Sequence, residues 1–328
     1  MANKDSKELS VKDFMQSLMS GVLSDDMIES YVLALNEKGV TAENIYDAAT
    51  VMRQFAKQVD IQDKNYLVDT CGTGGDGIQT FNVSTLSAIV AASAGVKVAK
   101  HGGRSVSSKC GSADVLEAFG VNVNLTSEKV ASLVDDIGIA FMFAPNFHPA
   151  MRYAAPVRKK LGIRTIFNVL GPLANPASAT QQVLGVYDAS LTETMAEVLY
   201  KLGSEHVMVV HGEDGMDEIS ISSETRISEL KNKSITTYTI KPSDFGLDMA
   251  DLKTIQVENV DASKAMMLDV LEGHTGPHRD ITLLNAGAAI YVSGLTSTLK
   301  EGIEKAVLVI DQGLSFKKLE ALKAASHG

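Results

Sequence analysis

Asp69-Thr70-Cys71-Gly72-Thr73-Gly74-Gly75-Asp76-Gly77 decides how the rest of the chain is read. An apolar run, Tyr66-Leu67-Val68, leads into it, and Phe81-Asn82-Val83-Ser84-Thr85 leads out into an alanine-rich helical pattern. Gly72, Gly74, Gly75 and Gly77 let backbone N–H groups approach a bulky anion, because no Cβ stands in the way. A helix starting near Ser84 adds unpaired N–H groups and the positive end of its dipole. An ordinary strand-to-helix turn has the same outline, so the surrounding sequence must decide between them.

Upstream, residues 10–58 read as helices. Ser10 caps one whose Val11, Phe14, Met15, Leu18 and Met19 share a face, with Gly21 at its end. Ser24 opens a second, with Met27, Ile28, Tyr31, Val32 and Leu35 inward and Gly39 as its stop; Thr41 starts a third, carrying Ile45, Ala48, Met52 and Phe55. None of the three holds a catalytic cluster, so their expected work is packing. Downstream of a polar hinge at 60–65, strands and helices alternate: strand 66–69, helix 84–94, strand 96–99, helix 112–119, strand 139–143, helix 149–160. A strand at 182–187, a helix at 190–202 and a strand at 206–211 continue the rhythm, which predicts an α/β domain with a largely parallel sheet. Residues 219–221 and 236–240 are expected to add an irregular antiparallel part, and helices near 261–273, 280–293, 298–312 and 314–324 close the chain. Residues 149–176 interrupt the alternation with two helical pieces and no strand between them. The expected division is therefore a small helical domain, 1–64 joined by helices from about 149–176, beside a larger α/β domain over 65–328.

The 328 residues carry a formal net charge of −10 and a pI of about 5.2, which argues against nucleic acid as the main partner. A phosphorylated substrate would need locally concentrated positive charge or Mg²⁺ in such a field. Cys71 and Cys110 make neither a disulfide framework nor a zinc pattern and read as reduced thiols. Met1 to Leu9 lack the apolar core of a signal peptide and no apolar run reaches membrane-spanning length, so a soluble cytoplasmic protein is expected, with no membrane partner.

Three further stretches carry chemistry. Lys100-His101-Gly102-Gly103-Arg104-Ser105-Val106-Ser107-Ser108-Lys109-Cys110-Gly111-Ser112 follows a strand and sets cations, hydroxyls and glycines where a phosphate or pyrophosphate could lie. With the first turn it would face one crevice at the carboxyl ends of neighbouring strands. Asp217-Glu218 follows another strand; adjacent carboxylates suit Mg²⁺, although acidic pairs are also common on loops. Asn146-Phe147-His148-Pro149 opens a helix on which Arg158 would stand roughly 15 Å from His148, at ~1.5 Å per residue. Arg158 reads either as a guanidinium fork for a substrate carboxylate or, beside Lys159 and Lys160, as a solvated basic helix end.

Taken in order, Gly72 to Asp76, Asn82-Val83-Ser84-Thr85, Lys100-His101-Gly102, Gly111-Ser112-Ala113-Asp114, Asn146 to Pro149, Asn168-Val169-Leu170-Gly171-Pro172 and Asp217-Glu218 closely resemble the anthranilate phosphoribosyltransferase family. The likeness runs from the N-terminal helices to Asn285-Ala286-Gly287-Ala288. It implies a nucleoside phosphorylase-like phosphoribosyltransferase fold, a homodimer joined through the helical domain, and Mg²⁺, with two ions per site. The implied reaction joins anthranilate to phosphoribosyl pyrophosphate in tryptophan biosynthesis. By the same resemblance, Gly72, Gly75, Asp76, Thr80, Asn82, Val83, Ser84 and Thr85 line the phosphoribosyl pyrophosphate site. Lys100, His101, Gly102, Gly103, Arg104, Ser105, Val106, Ser107, Ser108 and Ser112 hold its phosphates. Ser84, Asp217 and Glu218 bind metal. Gly72, Gly103, His148 and Arg158 contact anthranilate, and His101 is a candidate proton acceptor. The family commonly has Asn where this chain has Gly103, which leaves the aromatic-acid half one side-chain amide short. Pyrimidine nucleoside phosphorolysis on the same kind of fold has no need for the Asp217-Glu218 pair, and a nucleic-acid-binding homologue is expected to be basic.

Overall fold

The computed structural model describes residues 9–104 and 110–328. Local capping explains where the first helices begin. Ser10, Ser24 and Thr41 accept the amides of Asp13, Met27 and Asn44, opening α1 (Val11–Met19), α2 (Asp25–Lys38) and α3 (Ala42–Gln54). Their inward stripes are as predicted except at the ends. Met27, in the first turn of α2, and Phe55, the residue capping α3, are 36% and 37% exposed, because each lies beyond the packed stripe.

The α/β part begins with β1 (Leu67–Thr70), α4 (Val83–Ser93), β2 (Lys97–Gly102), α5 (Ser112–Ala118), α6 (Ser127–Ile137) and β3 (Ile139–Phe143). Short α7 (Ala144–Phe147), a 3₁₀ turn at Pro149–Tyr153, α8 (Ala155–Leu161), α9 (Phe167–Leu170) and a 3₁₀ turn at Gly171–Leu173 follow. Then come β4 (Gln181–Gly185), α10 (Leu191–Lys201), β5 (His206–Gly212), β6 (Thr225–Lys231) and β7 (Ser234–Ile240). Helices α11 (Val260–Leu271), α12 (Pro277–Val292), α13 (Leu299–Asp311) and α14 (Leu314–Ser326) complete it. The seven strands form one sheet in the order β3-β2-β1-β4-β5-β6-β7. β1 to β5 pair in parallel, and β6 and β7 are antiparallel additions. Strand period two sorts the core by face. Met208 and Val210 of β5 pack with α4 and α12, while Val207 and Val209 pack with α10 and the N-terminal helices. The same second core contains Ala154, Val157, Ile166, Phe167 and Leu170, so α1–α3 close against the 149–173 segment.

Four expectations need correction. The single helix at 149–160 is a 3₁₀ turn and then α8, each with a proline in its first turn, so Pro149 and Pro156 start separate pieces; the 15 Å estimate falls with it. Residues 219–221 form no strand, because Asn285 rather than a neighbouring strand takes the main-chain bonds of Ile219. α6 and β6 stand beyond the expected elements. The first carries a readable signal, a Thr126 cap and Val130, Leu133 and Val134 on one face, whereas Thr225–Lys231 is polar enough to hide a strand. Among the described residues no helix is long and apolar enough to cross a membrane.

Candidate active site

From β1 the chain winds through β2 and β3 to one side, then returns to β4 and β5 on the other, so the winding direction reverses between β1 and β4. In open α/β sheets that reversal leaves a crevice at the carboxyl ends of the strands. The glycine-rich turn leaves β1 there and runs alongside β4: the Cys71 amide donates to the Val183 carbonyl at 3.2 Å and the Thr73 amide to Gly185 at 2.9 Å. Gly74, Gly75 and Gly77 hold φ of +64°, +79° and +78°, values that L side chains adopt only with strain. α4 begins just beyond. Its N-cap Asn82 makes no side-chain capping bond: its Nδ2 donates to the Cys110 carbonyl at 3.1 Å and its Oδ1 accepts the Thr85 hydroxyl at 3.5 Å rather than a backbone amide. The Val83 amide donates to the Phe81 carbonyl at 2.7 Å, and the Ser84 and Thr85 amides are left to face the crevice.

Asp217 and Glu218 enter from the far side of β5. A Cβ on Gly185 would overlap the Asp217 carbonyl, and one on Gly72 would collide with its carboxylate, so two glycines make room for the acidic segment. The Gly74 amide donates to Asp217 Oδ2 at 2.8 Å. Asn285 on α12 fixes the other end: its Oδ1 accepts the Ile219 amide at 2.9 Å and its Nδ2 donates to the Ile219 carbonyl at 2.9 Å. Lys100, buried at the end of β2, donates to the Thr70 carbonyl and, at 3.2 Å, to Ser84 Oγ. Burial pushes the Asp217 carboxyl up to about 7, and the Asp76 carboxylate adds to the shift. Glu218 is raised well above its ordinary range, by burial and then by Asp217, while Lys100 and the Ser84 amide pull the other way. Thr70, Gly72, Ser84, Gly185, Glu218 and Asn285 line the small crevice between these elements.

Two half-buried like charges with Lys100 as their compensating cation suit a divalent ion, which would favour both ionised forms at once. Among the described residues no three His, Cys, Asp or Glu side chains converge on one point. Mg²⁺ asks only for one or two carboxylates, with water and phosphate oxygens completing its shell. The donor set therefore fits Mg²⁺ bound together with a phosphorylated ligand.

His101 and His148 lie together, ring centroids 5.0 Å apart and edge to face. Both are buried, and none of their four ring nitrogens makes a well-formed hydrogen bond. Burial pushes His101 down to about 3 and His148 down to about 4, against weak opposition from the Gly171 and Ala174 carbonyls. Both are therefore neutral in the fold and take up protons on unfolding below their ordinary value of ~6.5. Stability contributed by the pair is complete above pH ~6.5 and is lost as pH falls toward 4. The melting temperature should drop on acidification across that window, and the double variant His101→Gln/His148→Gln should drop less steeply. Parallel slopes would contradict the neutral-pair assignment.

Arg158, half-buried on α8, stands 5.8 Å from the centre of the Phe167 ring; burial lowers its pKa and no acid among the described residues offsets it. Arg104 is not brought to the crevice charges. Its guanidinium is taken by Asp114 at 2.9 Å and by both oxygens of Glu117 at 2.5 and 2.8 Å, which draws it onto α5. Gly103 accepts the Ala113 amide at 3.1 Å, and a side chain there would meet open space. Gly102 lies tight against Phe141 and Ser112, while Thr80 pairs with Gln256 beside the turn. Val83 and Thr85 are buried in the core; the Val83 amide donates to the Phe81 carbonyl, so of the two only the Thr85 amide is left for a ligand. Asp76 accepts the Ile78 amide at 3.1 Å within the turn. Ser105, Val106, Ser107 and Ser108 lie outside the described residues.

Residues 64–316 match the family described as "Glycosyl transferase family, a/b domain". The chain is 54% identical over 315 residues to the anthranilate phosphoribosyltransferase of Methylobacillus flagellatus, covering 96% of this chain and 92% of that protein. It belongs to the anthranilate phosphoribosyltransferase family. The family enzyme of Nitrosomonas europaea is 52% identical, again over 96% and 92% of the two chains. Among solved structures, the family enzyme of Thermus thermophilus superposes with a TM-score of 0.93 at 38% identity, over 99% of this chain and 100% of that one. The Saccharomyces cerevisiae enzyme in complex with PRPP and Mg superposes with a TM-score of 0.88 at 31% identity, over 98% and 93%. The small helical part and the larger α/β part with its mostly parallel sheet are those expected of this phosphoribosyltransferase fold.

Sequence reasoning names Asn285 and Asp69 but gives neither a role in this site. Asn285 stands within an apolar helix, and a lone amide in such a stripe is the available signal. Asp69 accepts the His101 amide at 3.1 Å, and burial pushes its carboxyl up to about 6; an acid inside an otherwise apolar strand is the clue there.

Proposed function

We propose that this chain transfers the phosphoribosyl group of phosphoribosyl pyrophosphate to the amine of anthranilate, releasing pyrophosphate, as a step of tryptophan biosynthesis. The observation that carries this reading is the meeting of the left-handed glycine turn, Lys100, Ser84 and the half-buried Asp217–Glu218 pair at the sheet's reversal point. The aryl amine of anthranilate is already neutral near pH 7, so the difficult event is departure of pyrophosphate from the ribose carbon.

In this reading, amides of the glycine turn and of the first turn of α4, with Lys100, receive the diphosphate and stabilise the charge that grows on it as the bond breaks. Ser84, Asp217 and Glu218 would hold Mg²⁺, with two ions in the site. When bound, Mg²⁺ supplies Lewis-acid neutralisation of the leaving group. Arg158 would orient anthranilate through its carboxylate, which gives the amine its line of approach. A His101 ring held near pKa 3 is a poor base at neutral pH, so it is assigned to the pocket wall, and the released proton passes to water or pyrophosphate. The same reading keeps the domain division at 1–64 with 149–176 against 65–328, places the protein in the cytoplasm, and joins two copies through the helical part. Exposed Val22 in the link between α1 and α2, with Met27 and Leu33 on α2, supports that last point.

The deciding experiment follows loss of anthranilate fluorescence with phosphoribosyl pyrophosphate and Mg²⁺, with other aminobenzoates as comparison. Consumption that needs all three components is the expected result. Absence of turnover, or phosphorolysis of a pyrimidine nucleoside with inorganic phosphate, would overturn the reading.

A further inference from the structure

A turn with three left-handed glycines has few side chains to hold its shape, and glycine has the most backbone freedom to lose. One side chain outside the residues assigned so far does restrain it. Arg164, exposed in the link between α8 and α9, donates from Nη2 to the Gly75 carbonyl at 2.6 Å. Its guanidinium lies 4.0 Å from the centre of the Tyr187 ring, a stacking distance that fixes the plane of the fork. Tyr187, just past β4, donates its own amide to Thr73 Oγ1 at 3.2 Å, so the stacking platform is itself tied to the turn. The Arg164 carbonyl accepts Asn36 Nδ2 of α2 at 2.8 Å, which anchors the other end in the helical part.

We propose that Arg164 is a positioning residue for phosphoribosyl pyrophosphate: braced by Tyr187 and Asn36, it holds the Gly74-Gly75 peptides in the arrangement that receives the diphosphate. The proposal rests on the reading of the turn as the diphosphate site. Arg164 acts through the turn rather than by touching the substrate, and this separates it from Lys100 and Arg158.

The test uses the full chain and two readouts. Calorimetric binding of phosphoribosyl pyrophosphate with Mg²⁺ and no anthranilate should weaken by roughly tenfold in Arg164→Ala, the scale of one charge-assisted hydrogen bond. Tyr187→Leu should weaken it less, and the double variant no more than Arg164→Ala alone, because the two act as one unit. Amide hydrogen exchange over residues 72–78 of the ligand-free protein should speed up in Arg164→Ala, with the melting temperature unchanged for so exposed a side chain. Unchanged binding in Arg164→Ala overturns the proposal. So does weakened binding with wild-type exchange, which would make Arg164 a direct ligand contact. If the wild-type chain itself fails to bind phosphoribosyl pyrophosphate, the fault lies with the site reading, a result distinguishable from either.

Discussion

Replacing Asp217 by Asn together with Glu218 by Gln should lower turnover by ~10²-fold or more, the scale of removing a major electrostatic stabiliser from a leaving group. The structure also makes this substitution informative without substrate. Both carboxyls are half-buried and raised, Asp217 to about 7, because each is desolvated and each faces other acids. Amides relieve that repulsion, so in chelator the variant should melt no lower than the wild type. Added Mg²⁺ with pyrophosphate should raise the wild-type melting temperature by mass action and leave the variant's unchanged. Steady-state rates over a range of Mg²⁺ concentrations, beside melting curves with and without chelator, measure both. Undiminished turnover, or a variant that Mg²⁺ and pyrophosphate still stabilise, removes the acidic pair from the metal site.

Arg158→Ala should raise the KM for anthranilate by on the order of 10²-fold and that for phosphoribosyl pyrophosphate far less, since truncating one side of a desolvated charge pair costs several kcal/mol. Arg158 carries a burial cost that no acid among the described residues offsets, and the Phe167 ring leaves the planar fork free for a bidentate carboxylate. A guanidinium so placed gains most from an anion brought by a ligand. Paired titrations of the two substrates decide the matter. Equal effects on both KM values would reassign Arg158 to the solvated end of α8.

The parts legible in the sequence are those governed by neighbours along the chain. Ser10, Ser24 and Thr41 cap helices from three residues away, and Val68, Val98, Phe141 and Val183 mark strands because β1–β4 are covered on both faces. The glycine turn, Lys100 and the acidic pair are also readable, since glycine and buried charge are costly to place without cause. The rest depends on residues far apart in the chain. Asn285 lies 66 positions from the peptide it holds, and Arg164 lies 89 from Gly75. Arg104 illustrates the converse: beside a serine-rich loop it reads as a phosphate ligand, yet Glu117 on the following helix takes both arms of its fork.

The packing of α1–α3 onto Ala154, Val157, Ile166, Phe167 and Leu170 bears on how the chain matures on the ribosome. The first three helices emerge early with an oily stripe and no surface to lay it against, and that surface is synthesised roughly a hundred residues later. At ~5–20 residues per second the stripe waits several seconds for its cover. Chaperone dependence and misassembly during synthesis should therefore concentrate at the N-terminal end.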